Sequence, residues 1–248
     1  MAKIQDVVKK VKHSSFSKWL LYVVVGWLTY PGICLINRLK IRGMEKLPRL
    51  PKNNVLFVCN HHTYFADVIT LIHIFCAAKN GRTKKLGLPF YLFNPFLNLK
   101  YVAAATTMSK TWLARIFTVA GAITVKRTWN AESGEVRKGL DIGDTRTIAR
   151  ALEDNWVINF PQGTTTPFAP GRRGSAFIIK QCKPIVIPVV FEGFSDTFNK
   201  TGLRMRKFRS TLTVNFKDPL NINYEDSPEQ ILSQIMDAIE QSEKYRKP

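Results

Sequence analysis

Carboxylates are scarce in this chain: 18 Asp and Glu stand against 37 Lys and Arg, which gives a formal charge of +19 at pH 7 and a pI near 10.0. That imbalance implies anionic partners, either nucleic acid or an anionic membrane with phosphate-bearing substrates. Cysteine is equally sparse. Cys34, Cys59, Cys76 and Cys182 lie far apart in apolar settings and form no C-x-x-C pair. The spacing excludes a zinc site or a disulfide framework and reads as reduced packing residues in a cytoplasmic compartment. Internal repeats and low-complexity segments are absent as well, so a single domain with an appendage is expected.

What is present begins with apolar content. With 248 residues and 45% hydrophobic content, the chain can bury a sizeable core. Its N-terminus carries Lys9, Lys10, Lys12 and Lys18, and an apolar run then extends from Trp19 to Ile36. About 20 apolar residues span a bilayer as a helix. This run is marginal in length, and Pro31-Gly32 is expected to break it about two-thirds of the way along. No small-residue cleavage site follows, which argues against a signal peptide. The pattern predicts a membrane-associated helical hairpin over residues 1–40, with its basic flanks on the cytoplasmic face of the membrane. A nucleic-acid arm would have no use for Trp19-Leu20-Leu21-Tyr22-Val23-Val24-Val25.

Residues 41–248 read as alternating strands and helices. Ile41 opens a short strand that turns into a Pro-bounded loop. Val55–Cys59 and Pro184–Phe191 are continuous apolar runs, as in a sheet covered on both faces. Ala122–Val125 and Trp156–Phe160 are further strands, and Thr211–Phe216 alternates like an edge or late strand. Helical spacing marks Thr63–Ala78, Lys110–Val119, Gly143–Asp154, Ser175–Cys182 and Ser227–Tyr245. The predicted fold class is α/β, a single mixed or largely parallel sheet flanked by helices.

Chemistry concentrates where strands end. His61-His62-Thr63-Tyr64-Phe65-Ala66-Asp67 follows the first buried strand, and a histidine there can act as a general base oriented by the aspartate. The stretch holds no Ser or Cys nucleophile, which points to direct attack by a substrate hydroxyl. Residues five apart project about 140° from one another on an ideal helix. His62 must therefore lie in the strand-to-helix loop, with Asp67 in the first helical turn pointing back. Lys126 and Arg127 end a second strand and can grip a phosphate. Gln162, Gly163 and Thr164 follow a third, where a tight turn, its amides and a hydroxyl can cradle an anion. Arg172 and Arg173 add cations to the same region, and Ile187-Pro188-Val189-Val190 packs and shapes an acyl-chain wall.

These ordered blocks, over roughly residues 41 to 220, resemble the glycerophospholipid acyltransferases, most closely the 1-acylglycerol-3-phosphate (lysophosphatidic acid) O-acyltransferases. That family pairs N-H-x-x-x-x-D with G-x-x-F-I-x-R, F-P-E-G-T-R and a V-P-V-type block. His62 and Asp67 fall on its catalytic pair, Arg127 on the second block's arginine, Phe160, Pro161, Gly163 and Thr164 on the third, and Pro188 on the last. The resemblance implies transfer of an acyl group from acyl-CoA or acyl-carrier protein to a lysophospholipid hydroxyl at the membrane, with no metal and no cofactor. Four departures stand out. His61 occupies the Asn position, Tyr64 a small Ser position, Gln162 replaces Glu, and Thr165 replaces Arg. By family spacing His62 is the base and His61 a positioning residue, while Arg172 or Arg173 stands in for the missing cation. A lysolipid with another head group, such as a lyso-amino-acid lipid, is the alternative acceptor. Two other classes remain: a non-catalytic basic protein that binds membrane or nucleic acid, and a thioesterase that uses water.

Overall fold

The structure, a computed structural model, describes residues 15–104, 117–125 and 142–246. Its strands are β1 (Arg38–Arg42), β2 (Val55–Cys59), β3 (Leu99–Ala104), β4 (Ala122–Val125), β5 (Trp156–Asn159), β6 (Ile185–Glu192) and β7 (Thr211–Phe216). They form one seven-stranded sheet in the order β1-β7-β6-β2-β5-β3-β4. All neighbours are parallel except β6 and β7. The carboxyl ends of β2, β4, β5 and β6 therefore share one edge of the sheet, where open α/β sheets bind ligands.

The two-sided burial expected of the continuous apolar strands is present in β2. Val55, Phe57 and Cys59 enter one core and Leu56 and Val58 the other, as period-2 alternation requires. The first core packs against α1 (Ser15–Tyr30) and α2 (Ala66–Lys79). Its centre is an aromatic knot of Phe57, Phe75, Trp156 and Phe216. The second core packs against α3 (Ile142–Asp154), α4 (Arg173–Cys182) and α6 (Pro228–Ala238), with a short α5 (Phe194–Thr197) before β7. The four cysteines are unpaired.

Of the two readings of Thr211–Phe216, edge or late strand, the second holds: it is the last strand in the chain and lies inside the sheet between β1 and β6, with β1 and β4 at the edges among the described residues. Two expectations change. β3 is a strand that periodicity did not mark, held by pairing on both sides. The apolar N-terminal run does not break at Pro31, because a π-helical turn over Pro31–Leu35 continues it, with the Ile36 amide donating to the Pro31 carbonyl at 2.8 Å. Ser15–Leu35 is thus long and apolar enough to cross a membrane by length and composition. The remainder of the expected hairpin, residues 1–14, lies outside the described residues, as does most of the predicted 110–119 helix.

α1 lies against the domain along one stripe. Lys18, Tyr22, Gly26 and Tyr30 recur at i+4 and are buried. Lys18 Nζ donates to the carbonyls of Leu97 (2.5 Å) and Leu99 (2.6 Å) and is no free basic flank. Tyr22 and Tyr30 donate to the carbonyls of Ala120 and Gly87. The opposite face leaves Leu20, Val24, Trp27 and Leu28 exposed.

Candidate active site

β2 ends at Asn60, whose side chain continues the sheet in place of backbone. Its Nδ2 donates to the Phe191 carbonyl (2.9 Å) and its Oδ1 accepts from the Phe191 amide (2.7 Å), both on β6. The main chain is thereby released to turn through residues 61–65 into α2. Asp67, in the first turn of α2, is fully buried. Four donors converge on its carboxylate: His61 Nδ1 (2.9 Å), the amides of His62 (2.7 Å) and Thr63 (3.0 Å), and Thr63 Oγ1 (2.7 Å). Burial works to raise the Asp67 carboxyl, but the His61 hydrogen bond, the two imidazoles and the Thr63 amide outweigh it and hold it below its ordinary value.

Loop and first turn sit as spacing required, yet the imidazole on the carboxylate belongs to His61 rather than His62. The physical reason is the turn itself. Asp67 caps the amides of residues 62 and 63, so the six-residue offset brings the His61 ring onto the carboxylate while the five-residue offset brings only the His62 backbone. The His62 ring instead accepts from Asn60 Nδ2 through Nε2 at 3.2 Å, and its Nδ1 is buried with no partner. Burial lowers its pKa, opposed by Asp67. Because a carboxylate only accepts, His61 Nδ1 must donate, which leaves Nε2 as the basic nitrogen. The His61 side chain is 13% exposed, and its ring stacks on Phe160 with centroids 3.9 Å apart. Sequence reasoning missed Phe160 in this role. The parallel pairing of β2 with β5, in register up to Val58 and Asn159, brings the ends of the two strands together.

With His61 on the carboxylate, two departures from the family pattern disappear. Asn60 directly precedes the paired histidine, and Thr63 supplies the small hydroxyl two residues after it. One extra residue then separates histidine and aspartate.

Directly after Phe160 the chain makes a tight turn, with the Gly163 amide donating to the Phe160 carbonyl at 2.9 Å. Gly163 has φ +63°, and a Cβ there would lie 2.7 Å from Arg172 Nε. Arg172 donates from its amide to the Pro161 carbonyl and from Nε to the Gln162 carbonyl, so its guanidinium covers this turn. Thr164 is half-buried, its hydroxyl paired with Thr166. Two residues expected to bind substrate are otherwise committed. The Gln162 side chain is buried and donates to the Ala169 carbonyl (3.0 Å) and Gln241 Oε1 (3.1 Å). Arg173, at the start of α4, pairs with Glu229 on α6 at 3.0 Å. Lys126 and Arg127 lie outside the described residues. Ile187-Pro188-Val189-Val190 is buried core, whereas an apolar cavity lies between α1 and α2, lined by residues such as Leu21, Val25, Ile69 and Phe117.

A largely parallel α/β sheet thus carries an imidazole–carboxylate pair and a cation-covered turn side by side on its carboxyl edge, an arrangement suited to group transfer. Residues 38–192 match the family described as Acyltransferase, and the chain belongs to that family. Among solved structures it is similar to the 1-acyl-sn-glycerophosphate (LPA) acyltransferase PlsC from Thermotoga maritima. The identity is 12%, 95% of this chain and 78% of that one are covered, and the TM-score is 0.50, a likeness of fold. No curated protein matches the chain.

Proposed function

We propose that the protein is a membrane-associated O-acyltransferase that moves a fatty acyl group from acyl-CoA or acyl-carrier protein to the hydroxyl of a lysophospholipid of the 1-acylglycerol-3-phosphate type. The observation that carries this reading is the buried Asp67 carboxylate on His61 Nδ1, adjacent to a turn covered by Arg172. His61 Nε2 takes the proton of the acceptor hydroxyl, and Asp67 stabilises the imidazolium that forms. The alkoxide attacks the thioester carbonyl, and collapse breaks the C–S bond and expels the thiolate, which takes the proton back from His61. Arg172 and the Thr164 amide hold the acceptor phosphate, with Lys126 and Arg127 as further cations. The exposed apolar face of α1 supports membrane association, at the cytoplasmic face if the basic surface is retained there.

One observation favours a second acceptor class. Glu192, exposed, directly follows Phe191, whose amide and carbonyl hold Asn60 at the start of the site turn, and a carboxylate there would suit an amine-bearing lysolipid. Detergent-purified protein incubated with acyl-CoA and a panel of lysophosphatidic acid and lyso-amino-acid lipid separates the readings, with free thiol and acylated product followed by mass spectrometry. His61→Ala should reduce transfer about 10²–10⁴-fold, the usual worth of a general base, while His62→Ala should retain most of it. The reverse ranking would return the base to His62, and thiol release without any acylated lipid would make the protein a thioesterase.

A further inference from the structure

The loop between α5 and β7, residues 198–209, belongs to none of the family blocks. It is closed by an antiparallel bridge between Phe198 and Met205 and tightened by Asn199 Oδ1, which accepts from the Thr201 hydroxyl and the amides of Gly202, Leu203 and Arg204. Its outer side carries Lys200, Arg204, Arg206, Lys207 and Arg209, all exposed, and the segment contains no carboxylate. None of these five forms an ion pair among the described residues. Between them stand two large apolar side chains in solvent, Leu203 (46% exposed) and Phe208 (61%).

The inner side of the loop is bonded to the site. The Tyr64 and Phe65 amides donate to the carbonyls of Lys200 and Thr201, each at 3.0 Å. Gly202 packs so closely on the start of α2 that a Cβ would lie 2.6 Å from the Ala66 nitrogen and 2.8 Å from Thr63 Oγ1, the hydroxyl that holds Asp67. A third side joins it to the apolar N-terminal segment. Met205 is the nearest side chain to Gly32, and its sulfur accepts from Asn37 Nδ2 at 3.5 Å. Leu35 and Ile36, between those two residues, are exposed apolar side chains.

We infer that residues 198–209 form a second docking element for an anionic bilayer, inserting Leu203 and Phe208 at the headgroup boundary while the five cations meet lipid phosphates. Charge complementarity selects an anionic partner. Two exposed apolar side chains, on a loop tied through Met205 to the segment that carries exposed Leu35 and Ile36, select a lipid surface over an acidic protein. The inference rests on the acyltransferase reading in one respect: the docked loop would hold the His61–Asp67 turn against the surface from which a lysolipid arrives.

The test uses the full chain and vesicles of phosphatidylcholine with or without about one-third phosphatidylglycerol. The triple variant R204Q/R206Q/K207Q, whose side chains are exposed, should keep its melting temperature and its transfer activity in detergent micelles. Its partitioning onto the anionic vesicles should fall about 10²-fold, and Phe208→Ser should weaken binding to both vesicle types. Anionic-vesicle binding equal to that of the unaltered protein would overturn the proposal. So would loss of acyl-carrier-protein capture by the triple variant with vesicle binding intact, since the surface would then belong to a protein donor. Protein that binds vesicles through this loop but transfers no acyl group would uphold the surface and sink the function.

Discussion

Asp67 is a buried anion whose folded state depends on being surrounded. Replacing it by Asn keeps the shape but puts an NH2 group among four donors, so at least one would lose its acceptor. Asp67→Asn should therefore lower transfer by at least about 10²-fold and cost on the order of 2–4 kcal/mol in urea unfolding. Its folded pKa is depressed, so the stability it contributes is present above the ordinary carboxyl value of 3.8 and is lost as pH falls below that value. Gly163 makes a different demand. At φ +63°, with Arg172 against its missing side chain, Gly163→Ala should cost about 1–2 kcal/mol and raise the acceptor KM, because the guanidinium must move. An unchanged KM would remove Arg172 from the head-group site. Which imidazole meets the Asp67 carboxylate was the residue-level detail least legible in the sequence. Spacing counted from His62 matched the family, but which ring meets the carboxylate is decided by which amides the carboxylate caps, and that depends on the loop conformation.

At the scale of elements, Asn60 stands in for one more rung of β2 on β6. Asn60→Ala should leave the Phe191 amide and carbonyl without partners and cost roughly 2–4 kcal/mol, with a fall in kcat as the 61–65 turn loosens. α2 carries a fully buried His73 between Tyr91 and Thr29, and burial pushes its pKa down to about 4. Below pH 6.5 the unfolded chain binds a proton that the native state refuses. Stability should accordingly fall by about 3 kcal/mol between pH 6.5 and 4, and His73→Gln should flatten that dependence in urea titrations. Val55–Cys59 was readable because both-face burial leaves an uninterrupted apolar run, and Ala122–Val125 and Thr211–Phe216 also appear with the predicted bounds. β3 was not readable, since Leu99-Lys100-Tyr101-Val102-Ala103-Ala104 is made a strand by its two neighbours rather than by its own composition. α6 stops at Ala238 rather than continuing to Tyr245, because Glu240 takes φ +60° and Gln241 is drawn off to Gln162 and Phe168.

For the whole molecule, the charge of +19 is unevenly matched by ion pairs, so vesicle binding should weaken markedly as salt rises from about 0.05 to 0.5 M, while unfolding free energy changes little. A binding curve flat in salt would assign membrane affinity to the apolar face of α1 alone. The strand order also bears on how the chain is made. β1 follows directly after the apolar segment Ser15–Leu35, stands at the sheet edge, and has β7 as its neighbour, about 170 residues further on. At about 5–20 residues per second that interval lasts on the order of 10–30 s. In its first part the apolar helix has left the ribosome while its protein seat, which runs from α2 to Ala120, is not yet complete, and a bilayer is the apolar surface at hand. Ribosome-stalled chains of about 100 residues should therefore already sediment with membranes. Delivery would precede folding, and the enzyme would complete its sheet where its substrates already are.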